Sequence, residues 1–348
     1  MNEGLGELRC RRHFLVMCFA YRQEVKMKYV LGFDIGGTKS AVLLASPDKE
    51  HVVFLERKSI PTHGTWKEVL GCLADMGKAF LETHRISREK CCLGISCGGP
   101  LDSGRGVILS PPNLPGWDQV PVVSYLAQRL GMDARLKNDA DACALAEWRY
   151  GAGKSCRHMI FLTFGTGLGA GLILNGRLYE GACGMAGEAG HVRLAEDGPV
   201  GCAKAGSFEG FCSGGGIARL ARSMAEDALM AGRAVSYMKD GGLEGITARD
   251  VAEAADMGYA DARNVLAVSG RYFGRGLAML VDILNPERIV AGGIYARAGR
   301  FLKEEMEKEL RREALPANVN ACCILPSGLG EQIGDYGAVM AAMEIWEE

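Results

Sequence analysis

Residues 28–45 read KYVLGFDIGGTKSAVLLA: an apolar strand over Lys28–Phe33, a polar glycine turn from Asp34 to Lys39, and a second strand at Ser40–Ala45. Short apolar runs flanking a Gly-Gly turn predict a hairpin rather than a helix. The design returns at 159–176 as MIFLTFGTGLGAGLILNG, with Gly165, Gly167, Gly169 and Gly171 at every second position. That uncharged run is nearly long enough to span a bilayer. Its alternating glycines, with Thr163 and Thr166, suit a strand–turn–strand instead. Two such hairpins predict a duplicated α/β domain with a cleft between its halves.

The remaining pattern fills in that frame. Strands are predicted at Val52–Arg57, Cys91–Ser96, Asp133–Lys137 and Ile289–Val290, the last running into a turn at Gly292-Gly293. Trp66–His84 has helical spacing, with Val69, Leu70, Leu73, Met76 and Phe80 on one face. Further helices are predicted at 121–131, Asp141–Tyr150, over most of 216–280, at Phe301–Glu313 and at Asp335–Glu348. Residues 101–118 and 180–216 read as loops, and long loops in a compact domain usually carry function.

The two glycine turns have the chemistry of a phosphate cradle, because convergent backbone N–H groups can approach an anion where no Cβ intervenes. Asp34 beside Gly36, Gly37, Thr38 and Lys39 adds a carboxylate for Mg²⁺, a hydroxyl and a cation; Thr166 beside Gly167 adds a second hydroxyl. Asn138-Asp139 sits where a strand gives way to a helix, which suits either an N-cap or a general base at a cleft edge. Glu188-x-x-His191 is compatible with helix capping, with metal ligation, or, together with Glu209, with hydrogen bonding to a polyol. Three other patterns are decoys. Gly153-Lys154-Ser155 lacks the first glycine of a P-loop, since Trp148 occupies that position. Gly94-Ile95-Ser96-Cys97-Gly98 imitates a nucleophile elbow, but a loop rather than a helix follows Ser96. The run Gly165–Gly171 does not spell G-x-G-x-x-G.

Composition narrows the function classes. The chain has 348 residues, 48% hydrophobic and 24% charged, enough for about two ordinary domains. A net charge of −2, from 40 basic and 42 acidic residues, advertises no nucleic-acid partner and no membrane surface. Glycine, at 48 residues, is about twice as common as usual. The 13 cysteines are an odd number with no C-x-x-C pair, which predicts free thiols in a reducing cytoplasm. Phe14–Tyr21 behind Arg9, Arg11 and Arg12 resembles a minimal signal peptide without a cleavage site, so residues 1–27 are read as an N-terminal extension.

Taken in order, the stretches FDIGGTK (33–39), GISCGGPLDSGRGV (94–107), PPNLPGW (111–117), KNDADACALAE (137–147), FGTGLGAGLILNG (164–176), GEAGH (187–191), SFEGFCSG (207–214) and LNPERIVAGG (284–293) resemble the ROK (repressor, open reading frame, kinase) family of the actin-like sugar-kinase superfamily. The resemblance runs from about Lys28 to the C-terminus. It implies an α/β, two-lobed, actin-like (ribonuclease H-like) fold, with a smaller lobe of 28–137 plus 334–348 and a larger one of 138–333. It implies ATP-dependent phosphorylation of a hexose, glucokinase-like and at C6. N-acetylmannosamine, N-acetylglucosamine, fructose or allose as the sugar, and a non-catalytic sugar sensor, are the alternatives. By position Asp139 would be the base, and Asn113, Asn138, Glu188, His191 and Glu209 would hold the sugar, lined by Gly98 and Gly99. Asp34, Gly36, Gly37, Thr38, Lys39, Thr166 and Gly167 would surround the ATP phosphates and Mg²⁺, with Gly292 and Gly293 against the adenosine. A homodimer or homotetramer is expected. The 27 preceding residues are too few for the DNA-binding domain of the family's repressors. Many members carry zinc on one His and three Cys in the pattern C-x-C-G-x-x-G-C-x-E. Here residues 200–209 read VGCAKAGSFE, so only Cys202 and His191 survive, and structural zinc is expected to be absent. Cys183 and Cys212 are the remaining candidates for an atypical site.

Overall fold

The structure is a computed structural model that describes residues 29–239 and 241–347. The expected extension at 1–27 and the strand start at Lys28 lie outside the described residues. Two five-stranded sheets form the frame. The first contains β1 (Tyr29–Ile35), β2 (Lys39–Pro47), β3 (Val52–Pro61), β4 (Cys91–Cys97) and, after the two-residue strands β5 (Leu101–Asp102) and β6 (Val107–Ile108), β7 (Ala134–Asn138). Its order is β3-β2-β1-β4-β7, antiparallel through the first three strands and parallel from β1 to β7. The second contains β8 (Met159–Phe164), β9 (Leu168–Leu174), β10 (Arg177–Leu178), β13 (Arg288–Ala291) and β14 (Cys323–Pro326) in the order β10-β9-β8-β13-β14. Its pairings repeat the first sheet strand for strand. The duplication read from the two hairpins is therefore present in the topology, and the 159–176 run is a hairpin.

Two helices lie between the sheets. α3 (Asp139–Tyr150) follows the last strand of the first sheet but packs on β8 and β9 of the second. α10 (Ile333–Glu347) follows the last strand of the second sheet but packs on β1, β4 and β7 of the first. The two helices also pack on each other, and a mixed apolar core of Val30, Cys92, Ala144, Met159, Phe161, Val339 and Met343 joins them to both sheets. Small residues make this approach possible. A Cβ on Gly94 would meet Ala338 O of α10, and one on Gly171 would meet Ala140 O of α3. The glycines of β4 and β9 are seats for helices, so the elbow-like pattern around Ser96 has a packing origin. Ser96 itself is buried within β4, out of reach of a substrate.

On the outer face of the first sheet lie α1 (Trp66–Thr83) and α2 (Val122–Leu130), packed through Leu31, Phe33, Leu70, Leu73, Phe80 and Leu126. α1 begins at a capping box between Thr65 and Glu68. Behind the second sheet lie α4 (Phe208–Phe211), α5 (Gly214–Met230), α6 (Ala248–Asp256), α7 (Ala260–Leu284), α8 (Gly293–Glu313) and α9 (Pro316–Ala321). Their core centres on Phe164, Phe208, Phe273, Leu277 and Leu302. Two expectations need correction, and one stretch with no expectation is filled in. The Gly292-Gly293 turn is the start of α8, eight residues before the predicted helix. The 101–118 and 180–216 segments contain the β5–β6 hairpin, the β11 (Val200–Gly201)–β12 (Lys204–Ala205) hairpin and α4. Residues 316–326 hold α9 and β14. No helix among the described residues is long and apolar enough to cross a membrane, and the described cysteines are free thiols.

Candidate active site

The first glycine turn closes on itself, with Gly36 N–H donating to Lys39 O at 3.2 Å. Thr62, at the end of β3, holds it from outside: its Oγ1 donates to Gly36 O at 2.7 Å and lies 2.8 Å from Ser40 Oγ. Gly37 abuts Asn113, and a Cβ there would meet Asn113 O. The Asn113 loop is anchored by buried Pro111, Leu114 and Trp117, a spacing of three residues that leaves Asn113 exposed toward the turn. Thr38 and Lys39 are exposed.

Asp34 is the penultimate residue of β1, just before this turn. Burial, then the carboxylates of Asp335 and Asp139, raise its pKa from 3.8 to about 6, against the cations Arg57 and Lys39. Asp335, on the first turn of α10, is itself held by Arg57 Nε at 2.7 Å. Three carboxylates thus share one end of the two central helices.

Asn138 supplies the cap of α3, its Oδ1 accepting Ala140 N–H at 2.9 Å. Asp139 is the first helical residue; its Oδ1 also accepts Ala140 N–H, at 2.8 Å. That leaves Oδ2, which faces Gly98: a Cβ on Gly98 would lie 3.7 Å from it and 3.5 Å from Asn113 Nδ2. A Cβ on Gly99 would lie 3.1 Å from Asn138 Nδ2. Gly98, Gly99, Asn113, Asn138 and Asp139 are therefore one group. Burial raises the pKa of Asp139, and the backbone N–H groups of Ala140 and of Asp139 itself oppose the rise.

The second turn is closed by Gly165 N–H to Gly167 O at 3.1 Å. Two helices begin against it. Gly214 N–H of α5 donates to Gly165 O at 2.7 Å, and Gly293, at φ +57° in the left-handed region, presses against Phe164 O where a side chain would not fit. Gly292 N–H donates to Leu162 O at 3.0 Å. The same hairpin reaches the start of α3, since a Cβ on Gly169 would lie 3.6 Å from Ala140 Cβ.

The 187–191 segment runs along β9, with Ala170 N–H donating to Gly187 O at 2.9 Å. It presents exposed Glu188 and His191, 3.6 Å apart. Burial raises the pKa of Glu188, and Asp139 and Glu209 push it further, against His191. Glu209 is engaged by backbone: Oε2 accepts Leu168 N–H at 3.0 Å and Oε1 accepts Cys202 N–H at 3.1 Å. The residues expected to hold sugar or nucleotide thus fall on the two turns or the segments touching them. Thr62, Asp335, Gly214 and Gly215 belong there as well. A separate open groove of about 660 Å³, lined by Lys58, Lys67, Asp75, Tyr125 and Arg129, shares none of these residues.

The ROK family profile matches residues 30–345. The chain belongs to the ROK family. It is 33% identical over 319 residues to a glucokinase of Halalkalibacterium halodurans, covering 89% of this chain and 93% of the relative. It is 30% identical over 290 residues to an N-acetylmannosamine kinase of Salmonella typhi, covering 83% and 90%. The crystal structure of a ROK family glucokinase from Streptomyces griseus in complex with glucose and AMPPNP is 30% identical, with a TM-score of 0.75 over 91% of this chain and 99% of that one. The protein is accordingly an ATP-dependent sugar kinase with the two-lobed actin-like fold.

The zinc site that many ROK members carry does not fit these residues. Ser207 is fully buried and hydrogen-bonded to backbone, and Val200 offers no ligand atom. Cys212 is fully buried with Sγ on Ser269 O at 3.5 Å, while Cys183 is exposed. Burial and the neighbouring Glu209 carboxylate push the Cys202 thiol up to about 12. No three His, Cys, Asp or Glu side chains among the described residues could share a metal ion.

Proposed function

We propose that this kinase transfers the γ-phosphoryl group of ATP to the C6 hydroxyl of a hexose, glucose first, with Asp139 as general base. One observation carries the reading: the cap of α3 is delegated to Asn138, and the Oδ2 of Asp139 is left facing Gly98 and Asn113. A carboxylate with raised basicity at that position accepts the hydroxyl proton as the oxygen attacks. Asn113, Asn138, Glu188 and His191 supply donors and acceptors for the other hydroxyls. The turns at 36–39 and 165–167 present backbone N–H groups to the phosphates, and the N-termini of α5 and α8 add their helix dipoles. Asp34 suits Mg²⁺ carried in by the nucleotide, since Mg²⁺ is commonly held by one or two carboxylates plus substrate phosphates. Bound there, the ion would offset phosphate charge. Closure of the lobes, 28–137 plus 334–348 against 138–333, would exclude water in favour of sugar.

A coupled ADP-release assay over glucose, N-acetylmannosamine, N-acetylglucosamine, fructose and allose tests this. Turnover is expected, fastest with glucose. Sugar binding without ADP release from any of the five would make the chain a sensor and end the proposal.

The Asp34 environment gives a second expectation. Its folded pKa, about 6, lies above the ordinary value of 3.8, so the native state binds this proton more tightly than the unfolded chain. The stabilisation it contributes is complete below about 3.8 and lost as pH rises through about 6. At neutral pH the charged group therefore costs on the order of 2–3 kcal/mol. Asp34→Asn should raise Tm at pH 7.5, lose that advantage near pH 4, and impair turnover. A lower Tm at pH 7.5 would contradict it.

A further inference from the structure

Lys137 stands one residue before the cap of α3 and two before Asp139, with its side chain only 4% exposed. An ammonium group shut away from water needs a partner of opposite charge. Its Nζ donates to Glu180 Oε1 at 2.9 Å. The two residues belong to different sheets: Lys137 lies on β7, opposite Ser96 of β4, and Glu180 follows β10. Asp141, on the first turn of α3, is buried and feels both charges. Burial, then the Glu180 carboxylate, raise its pKa to about 7, while Lys137 lowers it. One cation thus serves two carboxylates. Glu180 also opens the segment that leads to Glu188 and His191. Its carbonyl accepts Ala186 N–H at 3.1 Å and closes 180–186 into a loop. Gly181 and Gly187, in the left-handed region at φ +73° and +86°, make that closure possible. The loop is pinned at one end by Gly187 O on β9 and at the other by Glu180 on Lys137.

We propose that the Lys137–Glu180 ion pair sets the 180–191 segment against Asn138 and Asp139, and that Lys137 is a positioning residue for sugar binding. The proposal rests on reading Asn138, Asp139, Glu188 and His191 as the sugar side. The first two come from the end of the first sheet, the last two from a segment of the second. A hexose held by both needs them at a fixed spacing, and charge-assisted hydrogen bonds are among the stronger ones available to fix it. The ammonium acts where the chain passes from β7 into α3, next to the residues whose place it sets. The glycine turns do not depend on it. The 36–39 turn is held by Thr62, and the 165–167 turn by Gly214 N–H of α5. Loss of the ion pair therefore weakens sugar and spares nucleotide.

The test is a charge swap in the full chain, read by calorimetric binding of glucose and, separately, of AMPPNP. Lys137→Glu alone brings a third carboxylate up to Glu180 and Asp141, and glucose affinity should fall by at least about tenfold. Lys137→Glu with Glu180→Lys restores one cation to two carboxylates, and the summed reach of the two side chains is unchanged. That double variant should return to within about threefold of wild type. AMPPNP affinity should change by less than about twofold throughout, well inside one decade of binding. A double variant as weak as Lys137→Glu would mean that the two side chains act separately, and would overturn the proposal. So would AMPPNP affinity falling in step with glucose affinity, which marks a general loss of structure. If Lys137→Glu does not fold, Glu180→Ala, at a part-exposed site, takes its place. In the ligand-free protein it should speed amide exchange at Ala186 by about tenfold, the scale of one lost charged hydrogen bond. Unchanged exchange there overturns the proposal whether or not glucose binds. Neither readout needs turnover, so a chain that binds sugar without releasing ADP would end the kinase reading and leave this one standing.

Discussion

Asp139→Asn should lower kcat by about 10²–10⁴-fold, the usual contribution of a general base. Asparagine keeps the size of the side chain and keeps an Oδ1 that can accept Ala140 N–H, now 2.8 Å away. Helix initiation is protected as well, because Asn138 provides the cap. What disappears is the proton acceptor facing Gly98 and Asn113. Because burial raises the pKa of Asp139, the charged form is disfavoured in the native protein, and the neutral amide should leave Tm unchanged or higher. In wild type the same shift moves the acid limb of kcat/KM above the ordinary carboxylate value: activity falls as pH drops and Asp139 takes up a proton. Near-normal turnover of Asp139→Asn across the hexose panel would remove the assignment; a collapse in Tm would point to misfolding instead.

The sequence made the duplication legible through two hairpins whose glycine turns carry polar residues. Glycine spacing in β9 worked as a signal because it has a physical cause, the seating of α3 at Gly169 and Gly171. The half-for-half match of strand order was less visible. β10 has two residues, and β14 is a four-residue strand with exposed ends, so neither imposes a period. α8 begins eight residues before the expected helix because Gly292 and Gly293 read as a turn, and no polar side chain caps this helix. α3 begins at Asp139, two residues earlier than expected, because the residue before it is the cap.

Site residues were readable where chemistry and chain neighbours coincide, as at Asp34 through Lys39 or Asn138-Asp139. Asp335 had no local signal. It reaches Asp34 because α10 crosses back to the first sheet, a tertiary fact separated by some 300 residues of chain. Thr62 likewise serves the first turn only through β2–β3 pairing, Lys39 opposite Pro61. Gly214 and Gly215 did have a signal: Ser213 before three glycines and an amphipathic run is an N-cap pattern, and a helix N-terminus there meets the second turn. Glu209 shows the limit of pattern. Its place in SFEGFCSG suggested a sugar contact by resemblance, while its partners, Leu168 N–H and Cys202 N–H, are set by a hairpin that spacing did not reveal.

The largest expected loss of stability lies at the other end of α3. Glu147 is fully buried, and its carboxylate accepts four hydrogen bonds: Ala152 N–H at 2.7 Å, Gly328 N–H at 3.2 Å, Leu329 N–H at 3.0 Å, and the Ser327 hydroxyl. These donors come from the turn after α3 and from the segment joining β14 to α10, where the chain crosses back from the second sheet to the first. Truncation to alanine would orphan all four groups beneath a part-buried turn. At ~1–3 kcal/mol for each unsatisfied group, less the relief of removing a buried charge, Glu147→Ala should cost about 3–5 kcal/mol. For a chain of this size that is a fall in Tm of roughly 5–10 °C. Glu147→Gln keeps the volume but turns an NH₂ toward backbone donors, so it should recover less than half of the loss. Because α3 carries Asp139 at its other end, turnover should fall below the variants' melting range as the helix loses its second anchor. Denaturant titration of both variants decides the matter: midpoints within error of wild type would mean that water replaces the carboxylate and that this buried staple is dispensable.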